Sequence, residues 1–170
     1  NFALSAFAKY TGTGLSSGPF EYELDSLRVG GKVRYQTAMS GVQLYASGNY
    51  DAMYLAGMIA DTTSMTESDF ERWIDAAYFY MLSDHVVSVT LAETEFAQAV
   101  ADKWIASGEE LRMSAGWSCY CWLLGNQKDE EFSTSKLAGM LEQVEKTIHD
   151  SPDRTKSSMN NFVYTVAISY

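Results

Sequence analysis

Apolar side chains recur every three to four residues along almost the whole sequence from Tyr35 onward. This spacing places them on one face of a helix, so it predicts a succession of amphipathic helices. The 170-residue chain contains only two prolines, which leaves long stretches rich in Ala, Leu, Met, Glu and Lys free to be helical. Both features predict an all-α fold, and the length suits a single domain.

The predicted helices are short and fall into pairs joined by tight turns. They cover residues 36–47, 50–60, 85–91, 93–106 and 109–124, a segment from 67 to a break near 83, and segments around 137–148 and 159–170. A pair every roughly 30 to 40 residues predicts a HEAT-like α-solenoid of antiparallel helix pairs, with a compact helical bundle as the alternative. We expect one repeat domain over residues 1–170 that continues beyond Tyr170. Residues 1–34 match this pattern poorly, as a short helix followed by a loop.

Local signals define several of these helices. Thr66 and Asp69 form a capping-box pattern, and glycines at 108 and 125 are expected to end the two helices that precede them. The β-branched residues of segment 85–91 are compatible with a strand, but the short length and helical neighbours favour a buried helix. Trp73, Trp104 and Trp122 lie on apolar stripes and are predicted core residues. Trp117 lies off its stripe, so we expect it to be exposed or to line a groove.

Composition disfavours several classes of function. The 12 basic and 22 acidic residues give a net charge of −10, which argues against a broadly basic surface for nucleic acid. The densest local basic group contains Lys146, His149, Arg154 and Lys156. The two histidines lack the spacing of a metal motif, so neither a metal nor a cofactor is predicted.

Cysteine usage and hydropathy bear on the compartment. Cys119 and Cys121 are two residues apart, which points them to different sides of a helix and predicts reduced thiols rather than a disulfide. No stretch reaches the about 18 continuous apolar residues of a membrane span. We therefore expect a cytoplasmic monomer without a membrane anchor.

Asp84 is the most informative candidate for chemistry. It follows the aromatic residues Tyr78, Phe79 and Tyr80, where one predicted helix ends and the next begins. An aspartate at this place has two interpretations. It caps the helix of residues 85–91, or it stabilises a cationic transition state in an aromatic cleft.

Several motifs occur in an order typical of one family. They read GNYDAMYLAGMIAD, MTESDFERWID, the aromatic segment up to Asp84, DKWIASGEELRMSAGW and RTKSSMNNF. Over residues 36–170 the sequence resembles the DNA alkylation repair family of HEAT-like proteins, the AlkD-like alkylpurine DNA glycosylases. The resemblance implies a HEAT-like fold and a DNA partner, either alkylated or distorted duplex.

The resemblance also implies a cleft with four functional positions. Active members carry an aspartate four residues after a tryptophan, an arginine in the following repeat and a second tryptophan in the next. Asp84 occupies the aspartate position, Tyr80 the first tryptophan position and Ser114 the arginine position. Arg112 lies two residues from that arginine position, and Asn161 occupies the second tryptophan position.

These residue types suit the excision of a cationic base. Alkylation at N3 or N7 leaves a charged purine, whose glycosidic bond breaks through an oxocarbenium-like state that a carboxylate such as Asp84 stabilises. Aromatic faces add cation–π attraction of about 0.5–2 kcal/mol each. Trp117 is a further candidate for the cleft, and Arg154 and Lys156 are candidates for binding phosphate.

Three functions are compatible with the sequence. The first is a DNA-binding protein that excises N3- or N7-alkylated purines through Asp84. The second is a non-catalytic paralogue that binds branched or distorted DNA, because three of the four cleft positions are replaced. The third is a protein-interaction scaffold, since solenoids bind peptides and the net charge of −10 suits a basic partner.

Overall fold

The computed structural model describes residues 41–128 and 131–170. The expected short helix and loop within residues 1–34, and the first residues of the predicted helix 36–47, lie outside this range, while residues 41–45 are helical. Every regular element in the described residues is an α, 3₁₀ or π helix, so the predicted all-α class is confirmed. The chain divides into two compact units, Asn1–Met65 and Thr66–Tyr170.

The described part of the first unit is built around α1, which spans Tyr50–Ile59 as the sequence predicted. The side chain of Asn49 accepts hydrogen bonds from the backbone N–H groups of Asp51 at 3.1 Å and Ala52 at 3.2 Å, which caps the helix. Gly48 has a φ of +69°, a conformation that glycine adopts without strain. A short 3₁₀ helix, Thr62–Ser64, follows.

The second unit is a succession of short helices. In chain order they are α2 (Glu67–Ala76), α3 (Tyr80–Leu82), a π-helical turn (Ser83–Val87), α4 (Ser88–Ala92), α5 (Ala97–Ile105), α6 (Glu110–Asn126), α7 (Thr134–Thr147), a 3₁₀ helix (Ile148–Asp150) and α8 (Asp153–Ser169). The predicted helical state of residues 85–91 is therefore confirmed. None of the helices within residues 41–128 and 131–170 is long and apolar enough to cross a bilayer.

The capping box at the start of α2 is confirmed, because the Asp69 carboxylate accepts a hydrogen bond from the Thr66 backbone N–H at 2.8 Å. The predicted break near residue 83 is wrong. Helix α2 ends at Ala76, residues Ala77 and Phe79 are extended, and helical structure then continues without interruption from Tyr80. Periodicity missed this break because apolar residues remain buried on both sides of it.

Two other predicted boundaries differ from the structure. Helix α5 begins at Ala97 rather than at residue 93, because the Thr94 N–H turns back to the carbonyl of Leu91 at 2.9 Å. Gly125 does not end α6, which continues to Asn126. Gly108 has the predicted left-handed conformation, with a φ of +78°.

Helix α6 is the centre of the second unit, since it packs against the π-helical turn, α4, α5 and α8. Neighbours on several sides bury Trp117 completely, so the predicted exposure of this side chain is wrong. Trp122 is 43% exposed, which contradicts its predicted core position, whereas Trp73 and Trp104 are buried as predicted. At Gly116 the backbone of α5 approaches so closely that an added Cβ would lie 2.7 Å from the Ala101 carbonyl oxygen.

Candidate functional site

The π-helical turn sets the position of Asp84. The backbone N–H of Ser88 bonds to the carbonyl of Ser83, five residues back, so the turn contains one residue more than an α-helical turn. The Ser88 hydroxyl also donates to the backbone carbonyl of Asp84. Asp84 therefore lies inside continuous helix, and its interpretation as a helix cap is wrong.

The Asp84 carboxylate is enclosed by hydrogen-bond donors. Its Oδ1 accepts from the Ser83 hydroxyl at 2.8 Å, and its Oδ2 accepts from the Ser114 hydroxyl at 2.8 Å and from Arg154 Nε at 2.7 Å. The carboxylate side chain is 0% exposed. A buried carboxylate needs such partners because desolvation without them costs several kcal/mol or more.

Arg154 connects this carboxylate to a pair of aromatic rings in contact. Its backbone N–H donates to Glu110 Oε1 at 2.9 Å, which fixes the first turn of α8 against the start of α6. Its guanidinium carbon lies 4.3 Å from the ring centroid of Tyr80, a cation–π contact. The Tyr80 ring in turn lies 4.4 Å from the ring of Phe79, centroid to centroid. Phe79, Tyr80, Arg154 and Asp84 thus form a connected series.

A buried pair of serines supports the same cluster. The hydroxyl oxygens of Ser114 and Ser158 are 2.6 Å apart, and the Ser158 hydroxyl is also 3.0 Å from the Arg154 carbonyl. A hydroxyl has one proton, and that of Ser114 is directed to Asp84. If Ser158 donates to Ser114, it links α8 to the carboxylate; if it donates to the Arg154 carbonyl, it bonds within α8 and only packs against Ser114.

Arg112 belongs to a different cluster. Its guanidinium binds Glu71 Oε2 at 2.6 Å, Glu109 Oε2 at 3.1 Å and the Asp75 carboxylate, which joins α6 to α2. Burial acts to raise the pKa of Glu71, but hydrogen bonds from Lys103, Arg112 and Trp104 lower it overall. Arg112 serves this ion-pair network and does not contribute to the Asp84 cluster.

The other predicted site residues are dispersed. Trp117 lies inside the core with its ring 5.1 Å from that of Phe162, and its indole N–H has no hydrogen-bond partner. Asn161 is exposed on α8, and Lys156 Nζ lies 3.6 Å from Asp153 Oδ1. In the part of the chain that the structure describes, no three His, Cys, Asp or Glu side chains are grouped as a metal site requires.

Of the predicted residues, the structure brings four together: Tyr80, Asp84, Ser114 and Arg154. The sequence pattern assigned Arg154 to phosphate binding and placed neither Ser83 nor Ser158 in the site. Arg154 and Ser158 are four residues apart, which places both on one face of a helix. This spacing was the signal in the sequence that could have placed Ser158 beside Arg154. With both oxygens occupied and the side chain buried, the carboxylate reaches a cationic purine only after Arg154 moves.

Comparison with known proteins identifies relatives. The uncharacterized protein Lin0241 of Listeria innocua serovar 6a is 28% identical over 130 residues, which are 75% of this chain and 54% of that protein. The uncharacterized protein Lmo0209 of Listeria monocytogenes serovar 1/2a is 27% identical over 129 residues, with the same coverage. The chain therefore spans about half the length of the curated relatives it matches.

A solved structure supports the HEAT-like fold. It is described as a new family of proteins related to the HEAT-like repeat DNA glycosylases with affinity for branched DNA structures. It is 71% identical to this chain with a TM-score of 0.77, over 78% of this chain and 57% of the other. Residues 32–169 also match the family described as DNA alkylation repair enzyme. Because that match covers most of the sequence, the chain belongs to the DNA alkylation repair enzyme family.

Proposed function

We propose that this protein binds branched or distorted DNA and does not excise alkylated bases. The absence of base excision is supported by the environment of Asp84, whose side chain is fully buried and paired with Arg154. A glycosylase carboxylate must face the positive charge that develops on the sugar as the bond breaks. In this protein the charge of Asp84 is already compensated by a guanidinium of the same chain.

The DNA-binding half rests on family membership and on the solved relative. That relative is described as having affinity for branched DNA structures, and it is 71% identical to this chain. Near the start of α8, His149, Asp153 and Lys156 line one open groove, which extends along the helix to Asn160. We assign the phosphate contact to this groove, since Arg154 is already bound to Asp84 and a helix start favours anions.

A base-release assay tests the non-catalytic half. Duplex DNA that carries 7-methylguanine and 3-methyladenine is incubated with wild-type protein, with the Asp84→Asn variant and with buffer alone. We expect equal release in all three samples. Release by the wild type that disappears in Asp84→Asn would overturn this half and support excision through Asp84 instead.

The binding half is tested by comparing the dissociation constants of a four-way junction and of a duplex with the same sequence. Tighter binding of the junction is expected, and the Lys156→Ala variant should weaken binding to both and reduce its salt dependence. Absence of binding to either DNA would favour the protein-scaffold alternative. We further propose that the protein is a monomer. We also propose a cytoplasmic location, with which the two free cysteines agree, because a reducing compartment keeps thiols unpaired.

A further inference from the structure

We propose that Tyr78 and Phe79 form a stacking surface for the unstacked base pairs at the branch point of a DNA junction. This inference rests on the proposed function and names the feature of branched DNA that the protein recognises. Tyr78 is 59% exposed and Phe79 is 42% exposed, and they are consecutive aromatic residues. Adjacent exposed aromatic residues mark an interaction surface.

The backbone at this surface is held in place from both sides. The N–H of Ala77 bonds to the carbonyl of Ile74 at 3.2 Å, which closes α2. The carbonyl of Phe79 accepts from the N–H groups of Leu82 at 2.9 Å and Ser83 at 3.3 Å, which begins the next helix. Between these bonds Ala77 and Phe79 have extended backbone, so Tyr78 and Phe79 lie at a corner between two helices.

The cluster of Tyr80, Asp84, Ser114 and Arg154 supports this corner through its contact with Phe79. The Phe79 ring packs on Tyr80, Tyr80 carries the guanidinium of Arg154, and Arg154 is bound to the buried Asp84. Stacking on a base costs little entropy when the protein ring is already fixed. The buried Asp84 carboxylate is not exposed to a substrate. Its role is instead to hold the stacking surface of Tyr78 and Phe79 in position.

Branched DNA is the ligand that suits such a platform. Bases in an intact duplex are stacked on both faces, whereas a branch point interrupts stacking and presents base faces. Aromatic side chains bind these faces without sequence preference, because every base has one. The acidic chain, with a net charge of −10, is disfavoured on the uniform phosphate surface of a duplex. Stacking at the junction adds affinity that a duplex does not offer.

The test uses a four-way junction with 2-aminopurine at the branch point and a matched duplex. In the double variant Tyr78→Leu and Phe79→Leu, apolar bulk remains but the aromatic faces are lost. We expect its junction dissociation constant to rise by about tenfold or more, with duplex affinity unchanged and the 2-aminopurine response lost. Phe79→Tyr, which keeps an aromatic ring, should retain wild-type binding. Tyr164→Leu is the control, because Tyr164 is 67% exposed on α8, ten residues after Arg154 along the chain.

The outcomes separate this inference from the proposed function. A wild type that prefers the junction, together with a double variant that binds the junction equally well, would overturn the stacking surface alone. A wild type that binds junction and duplex with equal affinity would overturn the proposed function itself. Thermal unfolding of each variant checks that the exposed substitutions leave the fold intact.

Discussion

Arg154 Nε lies 2.7 Å from Oδ2 of Asp84, and this contact joins the first turn of α8 to the π-helical turn. The family resemblance places an arginine at position 114, but a serine occupies it and donates a hydrogen bond to the same carboxylate oxygen. The positive charge is therefore present but comes from another helix. In this arrangement the carboxylate is 0% exposed and the guanidinium side chain is 24% exposed.

Removal of one partner of this ion pair should be more costly than removal of both. Arg154→Met leaves a buried charge uncompensated, and we expect the free energy of unfolding to fall by about 3 kcal/mol. Adding Asp84→Asn removes that charge and should recover part of the loss in urea unfolding. Arg72→Met is the control, because Arg72 pairs with Asp69 at a surface where ion pairs contribute about 0–1 kcal/mol. If the double variant lost as much free energy of unfolding as the two single variants together, the coupling between Asp84 and Arg154 would be contradicted.

The two buried serines should differ in their contribution to stability. Ser114→Ala removes a hydrogen bond to a charged oxygen, and we expect a loss of about 2 kcal/mol in unfolding free energy. Ser158→Ala removes the same atom, but its partners are a hydroxyl and a carbonyl, so about 1 kcal/mol is expected. Equal losses of unfolding free energy in the two variants would show that the charge of the Asp84 carboxylate does not determine the size of the loss.

Two glycines of α6 should respond in opposite directions to alanine. At Gly116 an added Cβ would lie 2.7 Å from the Ala101 carbonyl and 2.8 Å from Ile105 Cγ1, so overpacking should cost about 1–3 kcal/mol. At Gly125 nothing lies within 4 Å, and Gly125→Ala should stabilise the helix by up to about 1 kcal/mol. Thermal unfolding of the pair measures both effects. A neutral Gly116→Ala would contradict the close approach of α5 and α6.

Glu71 should make stability depend on pH in the acid range. Its folded-state pKa is lowered, so its stabilising effect is complete above the unfolded pKa and is lost as pH falls through the folded one. The free energy of unfolding should therefore drop more steeply in the wild type than in Glu71→Gln as the pH falls below 4.5, the ordinary pKa of a glutamate. Parallel pH profiles for the two proteins would contradict the role of the bonds from Lys103, Arg112 and Trp104.

Much of the fold follows from local signals in the sequence. The capping box at Thr66 and Asp69 predicted the start of α2, and periodicity predicted α1 and α6 closely. Periodicity failed at residues 77–79 because Tyr78 and Phe79 are apolar by type but exposed, and because buried apolar residues stand on both sides of the break. It failed for Trp117 and Trp122 because α6 is packed on several sides, and a single apolar stripe does not describe such a helix.

The site was predictable only in part. The motif order led to Asp84, Tyr80 and Ser114, which the structure brings into one cluster. Arg154 was assigned to phosphate, since no local pattern indicates that a side chain 70 positions away bonds to Asp84. The π-helical turn that directs Asp84 inward has no signature in the spacing of apolar residues.

The central claim is tested most directly by the ratio of two dissociation constants, measured for a four-way junction and for a duplex of the same sequence at one salt concentration. The account predicts a junction affinity at least about tenfold higher, because stacking on the unstacked base pairs at the branch point adds to the phosphate contacts that both DNAs share. Equal affinity for junction and duplex would contradict it.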